Sequence, residues 1–230
     1  LQLNQGIGFF SEVGLMAGVA KTDWSWCTLF SDFDLDGYKD LYITNGILRD
    51  IRNRDFSSYA LEAIKDNSTS RLKILDKSPS VPLANYMYKN DGLLHFNNLS
   101  QQWGMDEKSF SQGASYADLD NDGDVDLVVN NMNQEAFVYK NTAVENKTGN
   151  FVRVKLEGMG KNIRSFGARV LIAYGQSKIQ MAEVVNARGY MSSSEPILTF
   201  GLGKIDKVDS IFVRWPNGKY IRVDNIKANS

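Results

Sequence analysis

The chain alternates apolar and polar residues over short runs broken by Gly, Asn, Asp and Ser, a pattern that predicts an all-β protein with a small helical insertion. Leu41 to Thr44 and Leu127 to Asn130, rich in β-branched and aromatic residues, read as buried strands. Asn85 to Lys89 and Leu93 to Phe96 flank Asn90-Asp91-Gly92, a hairpin signal because these turn residues tolerate positive φ. Ser111 to Leu119 and Asp126 to Asn131 add two strands. Ala136 to Asn141 repeats the opening strand through the Tyr-Lys-Asn shared by 88–90 and 139–141, and so predicts the start of a third unit. Between these runs, Gly46 to Leu83 lacks strand patterning. There Asp55 is expected to cap a helix through Phe56, Tyr59, Ala60, Ala63 and Ile64, and Arg71 to Asp76 a second short helix ended by Pro79 and Pro82.

From about Gly149 the texture changes. Phe151 to Leu156, Ala168 to Tyr174, Ile179 to Val185, Ile197 to Phe200 and Val208 to Trp215 alternate more regularly and predict a β-sandwich-like domain over 150–230, after a linker at Glu145 to Asn150. The segment Gly189 to Ser194 reads as a polar turn.

The acidic residues are not spread evenly. Asp32, Asp34, Asp36 and Asp40 occupy the first, third, fifth and ninth places of one loop, with Gly37 at the sixth; Asp118, Asp120, Asp122 and Asp126, with Gly123, repeat this 86 residues later. Ca²⁺ is a hard cation that takes six to eight oxygens from carboxylates and carbonyls on a sharply turned backbone. Two calcium sites are therefore expected, with Tyr38 and Asp124 at the seventh place each offering a backbone carbonyl. Position twelve, a bidentate Glu in an EF-hand, holds Ile43 and Val129, so neither loop is an EF-hand. The side chains of Asp124 and Asp106 are left over and read as solvated turn acids. The same spacing carries Asn4 onto Asn90, Gly6 onto Gly92, Phe10 onto Phe96, Gly18 onto Gly104 and Asn45 onto Asn131, the signature of a repeat. Four short strands per unit fit partial β-propeller blades over 1–144, carrying the insertion at about 46–83. A closed propeller needs roughly four to eight blades, so the remaining blades are expected in a longer parent protein.

Asp32 to Leu41 and Asp118 to Leu127, with Phe10 and Phe96 upstream, resemble FG-GAP or VCBS-type repeats, the calcium-loop blades of integrin-like propellers. Phe166 to Val170, Gly189 to Ser194, Phe200 to Gly203 and Val208 to Gly218 resemble an ASPIC/UnbV domain, with departures at Ile163 and Thr199. The resemblance implies a secreted or surface-attached protein, in an extracellular, periplasmic or cell-surface location.

Lys plus Arg (26) nearly equals Asp plus Glu (27), which argues against a nucleic-acid partner. No apolar run is long enough to span a membrane. Cys27 is the only cysteine, so there is no internal disulfide, and beside Trp24 and Trp26 it reads as a small buried residue. His95 is the only histidine, which leaves little material for a zinc site or a nucleophile-histidine triad. The mixed-sign cluster Arg49, Asp50, Arg52, Arg54 and Asp55 reads first as a salt-bridged solvated surface and second as a ligand-binding group, since insertions on propellers often line the binding face. These features favour a non-enzymatic, calcium-stabilised module that binds protein or carbohydrate. Two alternatives stay open: part of a polysaccharide-acting enzyme whose cleft is shaped by 46–83, and an assembly scaffold whose exposed strand edges recruit other chains.

Overall fold

The computed structural model describes residues 1–6, 8–66 and 69–230. The chain begins with a hairpin of β1 (Gln2–Asn4) and β2 (Phe10–Glu12). Strands β3 (Ser25–Ser31) and β4 (Asp40–Asn45) flank the first acidic loop. Helices α1 (Arg54–Asp66) and α2 (Arg71–Leu75) follow, then β5 (Leu83–Ala84), β6 (Tyr86–Asn90) and β7 (Phe96–Asn98). After β8 (Lys108–Ser109), which pairs with β5, strands β9 (Ser111–Ala117) and β10 (Asp126–Asn131) flank the second acidic loop and β11 (Phe137–Tyr139) completes that sheet. The first sheet runs β3-β4-β6-β7 and the second β11-β10-β9, both antiparallel.

Ala136 to Asn141, expected to open a third unit, instead supplies the outer strand of the second sheet, with Tyr139 opposite Leu127. It stands to β10 as β6 stands to β4, where Tyr88 faces Leu41. Each sheet therefore straddles the sequence repeat, being made of the two strands around a loop and the Tyr-Lys-Asn strand that follows.

Period-two alternation decides which core each residue joins. Along β4, Leu41 and Ile43 pack with Ala17, Val19, Tyr88 and Phe96 on one face. Tyr42 points to the other face and joins Cys27, Leu29 and Met87 against Ala114, Leu127 and Val129 of the second sheet. Because both faces are covered, every residue of β4 is buried, which is why the sequence there is a continuous run and not an alternation.

Both expected helices form. Asn53, not Asp55, caps α1: its Oδ1 accepts the amide of Phe56 at 3.0 Å, while Asp55 lies in the first turn. The cap sits two residues earlier because Asn53 is followed at the right spacing by that free amide. The insertion is shallow, burying Phe56 from α1 and Ile74 from α2. Its charges pair locally, Arg49 with Asp76 at 2.9 Å, and Arg52 stacks over Trp24 at 3.9 Å. No helix among the described residues is long and apolar enough to cross a membrane.

The C-terminal domain forms two sheets. β12 (Asn150–Lys155) pairs with β15 (Ile197–Gly203); β14 (Lys178–Glu183), β13 (Arg169–Tyr174), β16 (Lys207–Arg214) and β17 (Tyr220–Lys227) form the other, in that order. Val170, Ile172, Phe200, Leu202 and Val208 fill the space between them. β17 has no counterpart among the expected strands, because all but one of its residues are exposed and burial leaves no alternation to read.

Candidate metal centres and the surface that covers them

The two acidic loops are built by one set of backbone contacts, used twice. In the first, the carboxylate of Asp32 accepts the amides of Asp36 (3.1 Å) and Gly37 (2.9 Å). In the second, Asp118 accepts those of Asp122 (3.1 Å) and Gly123 (3.0 Å). Asp40 accepts from Phe33 (3.0 Å) with one oxygen and from Asn90 (3.0 Å) with the other; Asp126 does the same with Leu119 (2.8 Å) and Asn141 (2.7 Å). The ninth-place carboxylate thus ties each loop's start to the asparagine of the following Tyr-Lys-Asn strand. Gly37 and Gly123 take φ of 99° and 112°, a region that side-chain-bearing residues rarely enter.

These turns bring the first, third and fifth carboxylates together. Oxygens of Asp32, Asp34 and Asp36 lie within 4.8 Å of one another, and so do those of Asp118, Asp120 and Asp122. Two oxygens on opposite sides of an ion at about 2.4 Å would be about that far apart. Asp40 and Asp126, expected among the ligands, lie outside these groups with both oxygens engaged by amides. The ring of Tyr38 packs over Gly92, where any Cβ would strike it.

The donor set suits a hard cation. All the converging atoms are carboxylate oxygens, and two of the six residues each carry a buried oxygen without a hydrogen-bond partner, Asp34 Oδ1 and Asp122 Oδ2. Crowding also perturbs titration. Burial, reinforced by the neighbouring Asp36 charge, lifts Asp32 to about 7. Burial lifts Asp40 to about 8 against the hydrogen bonds it accepts. Each loop carries a tethered counter-charge from the next strand. Lys89 Nζ contacts Asp34 and lies 2.6 Å from Asp36; Lys140 Nζ lies 2.7 Å from Asp120 and 2.8 Å from Glu145. The shared Tyr-Lys-Asn was legible as a strand repeat, yet its lysine and asparagine belong to the loops.

Asp124 departs from its expected role. It is completely buried and not a solvated turn acid; its Oδ2 accepts the amide of Val144 at 2.8 Å and its Oδ1 has no partner. Burial raises its pKa.

The C-terminal domain closes directly over both loops. Gly201 lies so close to the first that a Cβ there would run into Asp32 Oδ2 and the backbone of Leu35. Gly203 donates its amide to the Leu35 carbonyl at 2.9 Å. Gly149, in the expected linker, is pressed against that same carbonyl, and Thr148 Oγ1 donates to Asp34 O at 2.8 Å. Over the second loop, the Phe151 ring fills the space a Cβ on Gly123 would need. Arg153 Nη1 lies 2.6 Å from Asp118 and its Nη2 lies 3.0 Å from Glu195, whose Oε1 also accepts the Asp118 amide at 3.1 Å. The stretch expected as a polar turn, Gly189 to Ser194, is a docking loop. Gly189 abuts Cys27 and Leu29, Tyr190 packs on Trp26 with centroids 5.1 Å apart, and Ser193 O accepts from Ser115 at 2.7 Å. Arg153 and Glu195 had no signal in the sequence, since an Arg on an alternating strand looks like any solvent-facing residue.

Residues 158–230 match the family described as ASPIC and UnbV, a span that takes in β13 to β17. The chain is 26% identical over 248 residues to cartilage acidic protein 1 of Xenopus tropicalis, covering 94% of this chain and 37% of that protein. It is 32% identical over 113 residues to the human protein of that name, covering 47% of this chain and 16% of the relative. The mouse protein gives 30% over 113 residues, 47% and 17%. The chain thus spans little more than a third of the longest-matching of these relatives, and a smaller share of the other two. Most of the C-terminal sheets that close over the acidic loops therefore lie in the segment similar to the ASPIC and UnbV family, within a chain that is similar to cartilage acidic protein 1 over nearly all its length.

Proposed function

We propose that this chain is a calcium-stabilised, non-catalytic module of an extracellular or cell-surface protein, in which FG-GAP or VCBS-type blades present a binding surface to protein or glycan. The observation that carries this reading is the repeated carboxylate triad with buried, unpartnered oxygens at Asp34 and Asp122. Asp32, Asp34 and Asp36 would hold one ion and Asp118, Asp120 and Asp122 the other. Bound calcium supplies positive charge that cancels repulsion among these carboxylates, so it favours the folded state by mass action. An extracellular setting is supported by the similarity to cartilage acidic protein, and it is where calcium is abundant enough to fill loops of modest affinity. A non-catalytic role is supported by His95, exposed and only loosely paired with Asp91 at 3.8 Å, and by Cys27, buried behind Gly189 with its thiol pushed up by burial.

Calorimetric titration of the chelator-stripped protein with calcium, followed by melting curves with and without the ion, tests this. Saturable binding with a rise in melting temperature is expected; absence of both would overturn it. Polysaccharide turnover is the competing reading, favoured by a cavity of about 570 Å³ lined by Asp34, Lys89, Trp103 and Lys140. The insertion 46–83 contributes no described residue to that cavity, so it does not shape it. Screening glycans for both binding and hydrolysis separates the two readings.

A further inference from the structure

The second loop differs from the first at its seventh place, where Asp124 stands instead of Tyr38. An oxygen of Asp124 lies within 4.8 Å of oxygens of Asp122 and Glu145, making a third acidic group with no counterpart in the first loop. Exposed carboxylates often gather without consequence, but this group contains one that is completely buried. Asp124 Oδ1 has no hydrogen-bond partner, and neither has the buried Asp122 Oδ2. A buried carboxylate oxygen left without a donor is costly unless a cation meets it. The nearby ammonium does not fill that role. Lys140 is held by Asp120 and Glu145 and bonds neither of the orphaned oxygens. The other oxygens are already used to shape the site: Asp122 Oδ1 accepts the Asp124 amide at 3.1 Å, and Asp124 Oδ2 accepts that of Val144 at 2.8 Å. Those bonds fix both carboxylates and leave one free oxygen on each.

We propose that Asp122, Asp124 and Glu145 form an additional site for a divalent cation with a preference for oxygen ligands, sharing Asp122 with the second loop. This rests on the reading that the loops themselves hold calcium. The site joins the second loop to the segment at 142–149, which is itself pressed against the first loop through Thr148 and Gly149. Ion binding there would brace the two loops against each other.

Calcium itself is the probe, and the readout is the number of ions bound per chain, by native mass spectrometry and calorimetry on chelator-stripped protein. Three ions are expected for the natural sequence. Glu145→Gln, at an exposed position, should weaken one of them by about tenfold or more while leaving the fold intact. Asp124→Asn should do the same, and Asp34→Asn should remove a different ion. Two ions in the natural protein, or three that neither Glu145→Gln nor Asp124→Asn disturbs, would overturn the additional site while leaving the loop sites standing. Binding of no calcium at all would overturn both.

Discussion

The two acidic loops share their turn chemistry and differ in what closes over them. In the first, much of the covering contact is made by backbone, with Gly201, Gly203 and Gly149 close on Leu35, and the Tyr174 hydroxyl lies against Gly37. In the second it is made by side chains: Arg153 and Glu195 grip Asp118, and Phe151 lies on Gly123. Both covers need a close-packed glycine, but only the second adds a charged grip, from Arg153 and Glu195. The difference shows that the loop frame, set by Asp32 and Asp40 or Asp118 and Asp126, is independent of the way its outer side is used.

The largest expected effect breaks the charged closure. Arg153→Met strands Asp118, whose side chain is inaccessible to solvent, and should cost about 3–5 kcal/mol in chelator, the usual range for a broken buried pair. Calcium should recover part of that loss, as denaturant curves with and without the ion will reveal. Next comes the backbone closure. Gly201→Ala adds a methyl that meets backbone and cannot be accommodated by a rotamer change, so a loss of about 1–3 kcal/mol is expected. Its signature is a weakened coupling between Trp26 and Tyr190, read by fluorescence.

The pH dependence runs through both loops, because burial raises Asp124 as well, and is set chiefly by Asp32 and Asp40 of the first. Asp32 and Asp40 bind protons more tightly in the folded chain than at the ordinary value of 3.8, reaching about 7 and about 8. The folded state then holds more protons than the unfolded one, so stability in chelator should fall as pH rises from about 4 to about 8. Calcium should flatten that slope; a slope of opposite sign in chelator would refute the assignment. The smallest effect distinguishes the tethered cations. Replacing Lys89 or Lys140 with Met removes a competitor for the carboxylates and should raise calcium affinity. The change should be larger for Lys89, which is less exposed than Lys140 (30% against 56%) and contacts two of its loop's triad where Lys140 contacts one.

Strand positions were legible wherever at least one face is buried, as in β4, β10 and β13, and the loops were legible because metal chemistry demands acids at fixed spacing. Sheet membership was not. Residues 136–141 repeat 85–90 in sequence, but only the pairing of Tyr139 with Leu127 shows that each such strand closes the sheet before it. Nor was the closure legible. Nothing in the sequence shows that Gly201 lies on Leu35, and Glu145 to Asn150 read as a linker because small polar residues look alike whether free or wedged. What sequence cannot express is contact between segments more than a hundred residues apart.

Leu35 lies at the fourth place of the first loop with φ of 61°, where its counterpart Asn121 also has 61° but is a residue better suited to it. A leucine held there costs about 1–2 kcal/mol. It is kept by burial against Ala143 and Phe151 and by the amide of Gly203. That couples the two in assembly: the final sheets have no seat until this turn has been made, and the turn has little to hold it until they arrive. Refolding of the intact chain should accordingly show these two events as one concerted late step.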